Sequence, residues 1–152
     1  MKIITLSASK ALEYRTLNPV YAIRIFDWYT DDANIIDKLT LPENSIIVSY
    51  KFEEYDMDIY NRPEIRAHYG KEIKKMQQRA FNGDIARDLI THFRDNRGGK
   101  LELLVHCNAG LERSPSVAQA LNDLFELSEV YNIERVRKSF IYRTMMKVGK
   151  LI

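Results

Sequence analysis

Four short apolar runs recur along the chain, each bounded by polar or turn-forming residues. They cover residues 2–6 (KIITL), 20–26 (VYAIRIF), 45–52 (SIIVSYKF) and 101–106 (LELLVH). Runs of this length that are rich in β-branched and aromatic residues are typical of β-strands. The sequence therefore predicts four strands, and the last of them has the pattern of a buried strand.

Helical patterns fill most of the sequence between and after these strands. Asp31 and Asp32 suit a helix start, because carboxylates favour the positive end of the helix dipole. Pro63 suits the first position of a helix, and Asp84 is expected to cap the next one. We expect helices over about residues 7–15, 33–39, 64–80, 84–96, 114–125 and 133–146.

Strands interspersed with helices predict an α/β fold, and a length of 152 residues suits a single domain. We expect a central, largely parallel sheet flanked by helices. In such sheets, ligands bind at the carboxyl ends of the strands. The loop between strand 101–106 and the helix that follows it is therefore the expected binding site.

Composition narrows the range of partners. The 23 basic and 21 acidic residues leave a net charge of +2, which argues against a nucleic-acid partner. No run has the length of a membrane span or the flanks of a signal peptide, so no membrane partner is expected. Cys107 is the only cysteine, which is typical of a reducing cytoplasmic protein. His68, His92 and His106 give no zinc-binding spacing, so no metal or other cofactor is expected.

The loop after the last predicted strand carries the most distinctive residues. It reads His106-Cys107-Asn108-Ala109-Gly110-Leu111-Glu112-Arg113-Ser114. The N–H groups of such a loop can turn inward around an oxyanion, and the dipole of the following helix adds positive charge. Gly110 permits a left-handed backbone, and Arg113 supplies a planar fork for two phosphate oxygens. The pattern predicts a phosphate-binding loop formed by residues 108–113.

A mechanism follows as a hypothesis. The positive field of the loop favours the thiolate form of Cys107, which can attack phosphorus and form a cysteinyl-phosphate. The N–H groups of residues 108–113 and the Arg113 guanidinium stabilise the charge on the equatorial oxygens. Ser114 is expected to donate a hydrogen bond to the sulfur as the thiolate leaves. His106 is expected to orient the loop by hydrogen bonding.

The string HCNAGLERS resembles the HCxxGxxR[ST] signature of the cysteine-based protein tyrosine phosphatases, most of all the small dual-specificity branch. The resemblance implies that Cys107 is the nucleophile, Arg113 the phosphate clamp and Ser114 the partner of the thiolate. It also implies a phosphatase without a metal cofactor. Its specific part covers only the loop, while the flanking strand and helix and the domain size agree more loosely.

The loop also carries a hint of the substrate. Glu112 places a carboxylate in the loop, and it must point outward or it would repel the substrate dianion. Related lipid phosphatases tend to carry lysines in this loop, whereas Asn108, Leu111 and Glu112 supply none. We therefore expect a phosphorylated protein or peptide as substrate, with phosphate on tyrosine, serine or threonine, rather than a highly charged inositol phosphate.

The resemblance implies a general acid on a loop after an upstream strand, and an acidic segment follows strand 45–52. Residue type favours Asp56, because the family usually uses aspartate. Strand parity favours Glu54, and Asp58 remains a third candidate. The choice among these three carboxylates stays open at this stage.

Residues 61–80 resemble an insertion that covers the site or binds a partner. The lysines of this segment fit a solvated helix face better than a phosphate-attracting surface. Tyr55, Tyr60 and Tyr69 either pack half-buried or flank a phosphotyrosyl ring. Three competing functions remain open: a non-catalytic phosphopeptide-binding protein, an RNA 5′-triphosphatase and a sulfurtransferase.

Overall fold

The computed structural model describes residues 1–30 and 38–152. Within them, one sheet is built from β1 (Lys2–Ser7), β2 (Val20–Phe26), β3 (Ile46–Lys51) and β4 (Glu102–Cys107). The order across the sheet is β1-β4-β2-β3, and every pairing is parallel. The four predicted strands and the α/β fold are thus confirmed.

The carboxyl ends of these parallel strands meet at one edge of the sheet. Ser7 of β1 lies opposite Cys107 of β4, and Phe26 of β2 lies opposite Lys51 of β3. Because β4 lies between β1 and β2, the loop that follows it is flanked by the ends of both neighbours. Residues that directly follow β2 and β3 are therefore able to reach that loop.

Helices connect the strands and cover the sheet. Their bounds are α1 (Ala8–Glu13), α2 (Met57–Tyr60), α3 (Pro63–Tyr69), α4 (Glu72–Arg79), α5 (Gly83–Asn96), α6 (Arg113–Phe125) and α7 (Phe140–Gly149), with a 3₁₀ helix at Glu134–Lys138. Apolar residues of α5, α6 and α7 form the larger core with one face of the sheet. The other face packs against α1 in a smaller cluster.

Alternation along the central strands decides which side chain lies on which face. Ile23 and Ile25 of β2 belong to the larger core, whereas Ala22 packs with Ala11 of α1 in the smaller one. The same alternation in β4 places Cys107 in the larger core, on the side of α6. The thiol is therefore directed toward the helix that follows its loop.

Two of the expected helices are divided. The stretch 64–80 forms α3 and α4 because Gly70, with φ of 53°, turns the chain between them. The stretch 133–146 forms the 3₁₀ helix and then α7. Ser139 separates these two with an extended backbone, and its side chain accepts a hydrogen bond from a first-turn N–H of α7.

Three further expectations concern helix ends and spans. Asn82, rather than Asp84, caps α5, and its side-chain oxygen accepts a first-turn N–H at 2.9 Å. The helix expected over about 33–39 falls largely in residues 31–37, outside the described residues. Across the described ranges, every helix is too short or too polar to cross a membrane.

Candidate active site

The loop between β4 and α6 is curled tightly against the end of β1. Gly110 has φ of 76°, a backbone conformation that residues with a side chain seldom adopt. A methyl group at Gly110 would lie 2.7 Å from the carbonyl carbon of Leu6 and 2.7 Å from the nitrogen of Ser7. The first N–H of α1 also donates to the Asn108 carbonyl at 3.1 Å. Only glycine fits at position 110.

The sulfur of Cys107 receives two polar contacts at the base of this loop. The Gly110 N–H donates to Sγ at 3.2 Å, and Ser114 Oγ lies 3.3 Å from Sγ. The side chains of Cys107 and Ser114 are both buried. The Gly110 N–H therefore points at the sulfur, and the Ser114 hydroxyl lies within hydrogen-bond reach of it. The structure thus brings together the predicted nucleophile and its predicted partner.

Arg113, the first residue of α6, is only 5% exposed. Its Nη1 donates to the Phe52 carbonyl at 3.0 Å, and its Nη2 lies 2.6 Å from Asp27 Oδ1. Phe52 directly follows β3 and Asp27 directly follows β2. These contacts hold the guanidinium across the strand ends with two of its five N–H donors. Three of its N–H donors take no part in these two contacts.

His106 is a fully buried residue of β4, directly before Cys107. Its Nε2 accepts a hydrogen bond from Arg24 Nε at 2.9 Å. Burial, aided by the positive charge of Arg24, lowers the pKa of His106 to about 4. A neutral imidazole that accepts at Nε2 carries its proton on Nδ1. This contact ties β4 to β2 just before the loop.

Glu112 points away from the inner side of the loop. Its Oε1 lies 3.1 Å from Arg135 Nη1, and both side chains are more than half exposed. Arg135 Nη2 also donates to the Leu111 carbonyl at 2.9 Å. Arg135 therefore neutralises the one carboxylate of the loop and holds its outer side, as the outward orientation expected for Glu112 requires.

The three candidate acids have different surroundings. Partial desolvation raises the pKa of Glu54 above its usual value. The positive charge of Arg113 lowers this pKa in part, and nearby carboxylates such as Glu112 raise it further. Arg143 instead binds the other two candidates, with Nη2 3.1 Å from Asp56 Oδ2 and Nη1 2.5 Å from Asp58 Oδ2. Arg143 thus engages Asp56 and Asp58, whereas Glu54 lines the cleft that also contains Arg113, so the geometry favours Glu54 over Asp56.

A cleft of about 560 Å³ opens over the loop. Its lining comes from Asp27, Tyr29, Thr30, Glu53, Glu54, Asn108, Ala109 and Arg113. Asp27 and Tyr29 were not predicted as site residues. Asp27 carries the same signal as the acidic segment, a carboxylate at the carboxyl end of a predicted strand. What the sequence lacked was the information that β2 is the neighbour of β4.

Tyr55, Tyr60 and Tyr69 pack against one another in an aromatic row. The Tyr55 and Tyr60 rings are 6.1 Å apart, and the Tyr60 and Tyr69 rings 5.5 Å apart, in edge-to-face geometry. The row links α2 to α3. This geometry favours the packing role over contact with a phosphotyrosyl ring, while Tyr29 is the tyrosine that lines the cleft.

Comparison of this chain with protein-family models, curated proteins and solved structures found no match. Among the described residues, no cluster of three or more histidine, cysteine, aspartate or glutamate side chains is arranged to hold a metal ion.

Proposed function

We propose that this chain is a cysteine-dependent phosphomonoesterase that removes phosphate from tyrosine, serine or threonine side chains of proteins. One arrangement carries the proposal. The Cys107 sulfur contacts the Gly110 N–H and Ser114 Oγ, and the Arg113 guanidinium is held at the start of α6 beside the same loop. This combination provides a nucleophile, a cradle for an oxyanion and a fixed positive charge.

The first step transfers the phosphoryl group to sulfur. The Cys107 thiolate attacks phosphorus, the Sγ–P bond forms, and the bond from phosphorus to the leaving oxygen breaks. Glu54 gives its proton to that oxygen, which leaves as an alcohol or phenol. Arg113 and the loop N–H groups bind the equatorial oxygens throughout.

The second step restores the enzyme. Glu54, now ionised, takes a proton from a water molecule that attacks phosphorus. The Sγ–P bond breaks, inorganic phosphate forms, and the electron pair returns to sulfur as thiolate. Ser114 donates a hydrogen bond to that sulfur and makes it a better leaving group. No metal takes part in either step of this proposal.

The presence of a suitable acid weighs against a protein that only binds phosphopeptides. Such a protein needs the cradle but no proton donor, and the raised pKa of Glu54 beside Arg113 is what a general acid requires. The lone thiol must also stay reduced for the reaction, which supports a cytoplasmic location in this proposal.

Hydrolysis of p-nitrophenyl phosphate tests the proposal directly. We expect turnover that EDTA does not reduce and that Cys107→Ser abolishes. Ser128→Ala, a serine substitution away from the loop, serves as the matched control and should retain the rate. Phosphopeptide binding without turnover would instead assign a binding function, and thiocyanate formation from thiosulfate and cyanide would assign sulfur transfer.

A further inference from the structure

Residues 61–80, which we call the basic arm, concentrate the positive charge of the protein. The arm contains α3 and α4 and carries six of the 23 basic residues but only two of the 21 acidic ones. Its net charge is therefore +4, which leaves −2 for the rest of the chain. The modest total of +2 hides a strongly uneven distribution.

Most positive charges of the arm are exposed, and none forms an ion pair with a described acidic residue. Its cations are Arg62, Arg66, Lys71, Lys74, Lys75 and Arg79. All except Arg79 are exposed. The ion pairs found in the described part of the chain involve none of the six. Arg66 donates only to the amide oxygen of Asn61, at 2.9 Å. Within residues 1–30 and 38–152, the arm thus presents positive charge that no ion pair neutralises.

The two helices of the arm make little contact with the hydrophobic core. In α3 and α4, Ile73 is the one fully buried residue, and neither helix has a side-chain cap. Short polar helices without internal ion pairs gain little stability of their own. The two helices thus supply surface charge rather than packing groups, as expected of a surface that contacts a partner.

The carboxyl end of α4 lies at the edge of the active-site cleft. The N–H of Glu53, a cleft residue, donates to the Arg79 carbonyl at 2.6 Å. The Arg79 guanidinium lies over the ring of Tyr29, another cleft residue, with 4.3 Å from Cζ to the ring centre. A molecule bound along α4 would therefore lie next to a group bound in the cleft.

We propose that the basic arm binds an acidic segment of the phosphoprotein whose phosphate enters the cleft. This inference rests on the proposed phosphatase function and specifies its substrate class. The eight residues of α4 span about 12 Å, which an extended peptide covers with about four residues. The acidic run is thus expected to be about four residues long and to lie close to the phosphorylated residue.

A protein segment fits this surface better than a nucleic acid. Nucleic acids carry a charge on every nucleotide, and a strand that passed from α4 over the cleft would meet Asp27, Glu53 and Glu54. A peptide can place its carboxylates opposite the lysines alone. The charge pattern of arm and cleft together therefore selects a substrate with separated phosphate and acidic groups.

The test compares phosphopeptides that share one phosphorylated core. One set carries a run of glutamates on the amino or the carboxyl side, and the reference set carries glutamines. With wild-type protein we expect a KM about tenfold lower for one of the acidic peptides, with similar kcat. The triple variant Lys71→Gln, Lys74→Gln, Lys75→Gln should remove this preference and leave the glutamine peptides unaffected.

Two matched variants isolate the effect of charge at the arm. Lys2→Gln, Lys100→Gln, Lys150→Gln changes the net charge equally at positions away from the arm and should keep the preference. Lys71→Arg, Lys74→Arg, Lys75→Arg keeps the charge and should also keep it. Salt at about 1 M, where the screening length falls to about 3 Å, should abolish the preference for acidic peptides in the wild-type protein and in both matched variants.

The outcomes separate this inference from the phosphatase proposal. Equal KM for acidic and glutamine peptides, or an equal loss in the distant-lysine variant, overturns the inference while turnover upholds the proposed function. If no peptide is hydrolysed, the proposed function fails. Fluorescence anisotropy with a labelled unphosphorylated acidic peptide then tests whether the arm binds acidic peptides. Arm-dependent binding supports that surface and absent binding overturns it. Tighter arm-dependent binding of oligouridylate than of the acidic peptide would assign the arm to nucleic acid.

Discussion

Replacing Glu54 by glutamine removes a proton donor while keeping the size and shape of the side chain. The structure places Glu54 beside Arg113 at the cleft, whereas Asp56 and Asp58 are bound by Arg143. We predict that Glu54→Gln slows the hydrolysis of an alkyl or phenyl phosphate about 100-fold or more, the usual contribution of general acid catalysis. With p-nitrophenyl phosphate, whose leaving group needs little protonation, the loss should be clearly smaller.

The pH dependence follows from the raised pKa of Glu54. An acid whose pKa is raised stays protonated to higher pH, so the wild-type rate should persist above the range of an ordinary glutamate and then fall as Glu54 ionises. The Glu54→Gln variant should lose that alkaline fall and give a lower, flatter profile. The measurement is kcat between about pH 4 and pH 9 with both substrates.

Asp56→Asn is the matched control. Asp56 caps α2 by accepting the Asp58 N–H at 3.0 Å and pairs with Arg143. Asparagine caps a helix as well as aspartate does, so the variant should lose only a partly exposed ion pair, about 1 kcal/mol or less. Its activity should stay within about threefold of wild type. If Asp56→Asn instead loses the alkaline limb and Glu54→Gln keeps it, the placement of the acid is refuted.

Three further predictions concern the loop, the clamp and the base of the sheet. Gly110→Ala should reduce kcat/KM about 100-fold and destabilise the fold by at least about 1–2 kcal/mol, because alanine is strained at positive φ and its methyl group would meet the backbone of β1. Steady-state kinetics and urea unfolding measure these effects, and an active, stable variant would contradict the loop geometry. Arg113→Lys should weaken competitive inhibition by inorganic phosphate at least about tenfold, since lysine keeps the charge but loses the fork that contacts Phe52 and Asp27; unchanged inhibition would exclude the guanidinium from phosphate binding. Burial raises the pKa of Glu102, but hydrogen bonds from Thr16, Tyr14 and Asn18 lower it overall, so Glu102 stabilises the fold above the pKa of the unfolded carboxyl and loses this effect as pH falls. Glu102→Gln should therefore lower the free energy of unfolding in urea by about 1–3 kcal/mol at pH 7 and by less at pH 3, and an equal loss at both pH values would contradict this.

Sequence reasoning found the strands and the loop because both depend on local pattern. Runs such as VYAIRIF alternate in the way that a strand requires, and the Cys107, Gly110 and Arg113 spacing describes one short loop. The position of Gly110 was predicted for its left-handed backbone, and the close approach to β1 adds a second reason that no local pattern contains.

The parts that escaped prediction depend on which elements become neighbours. Asp27 reaches Arg113 only because β2 lies beside β4 in the sheet. Asp56 was favoured by residue type, but Arg143 of α7, 87 positions away, holds its carboxylate. This contact between Arg143 and Asp56 joins distant parts of the chain, so no local pattern predicts it. Strand parity favours Glu54, which is the candidate that lines the cleft.

The central claim is that Cys107 carries the phosphoryl group between the two steps. Glu54→Gln should slow hydrolysis of the intermediate more than its formation from p-nitrophenyl phosphate, so the intermediate should accumulate in this variant. Rapid quenching followed by peptide mass spectrometry is the most direct measurement. The account predicts one phosphoryl group on the peptide that contains Cys107, and none when Cys107→Ser is added. Turnover of the substrate with no phosphate on Cys107, or with phosphate on another residue, would contradict it.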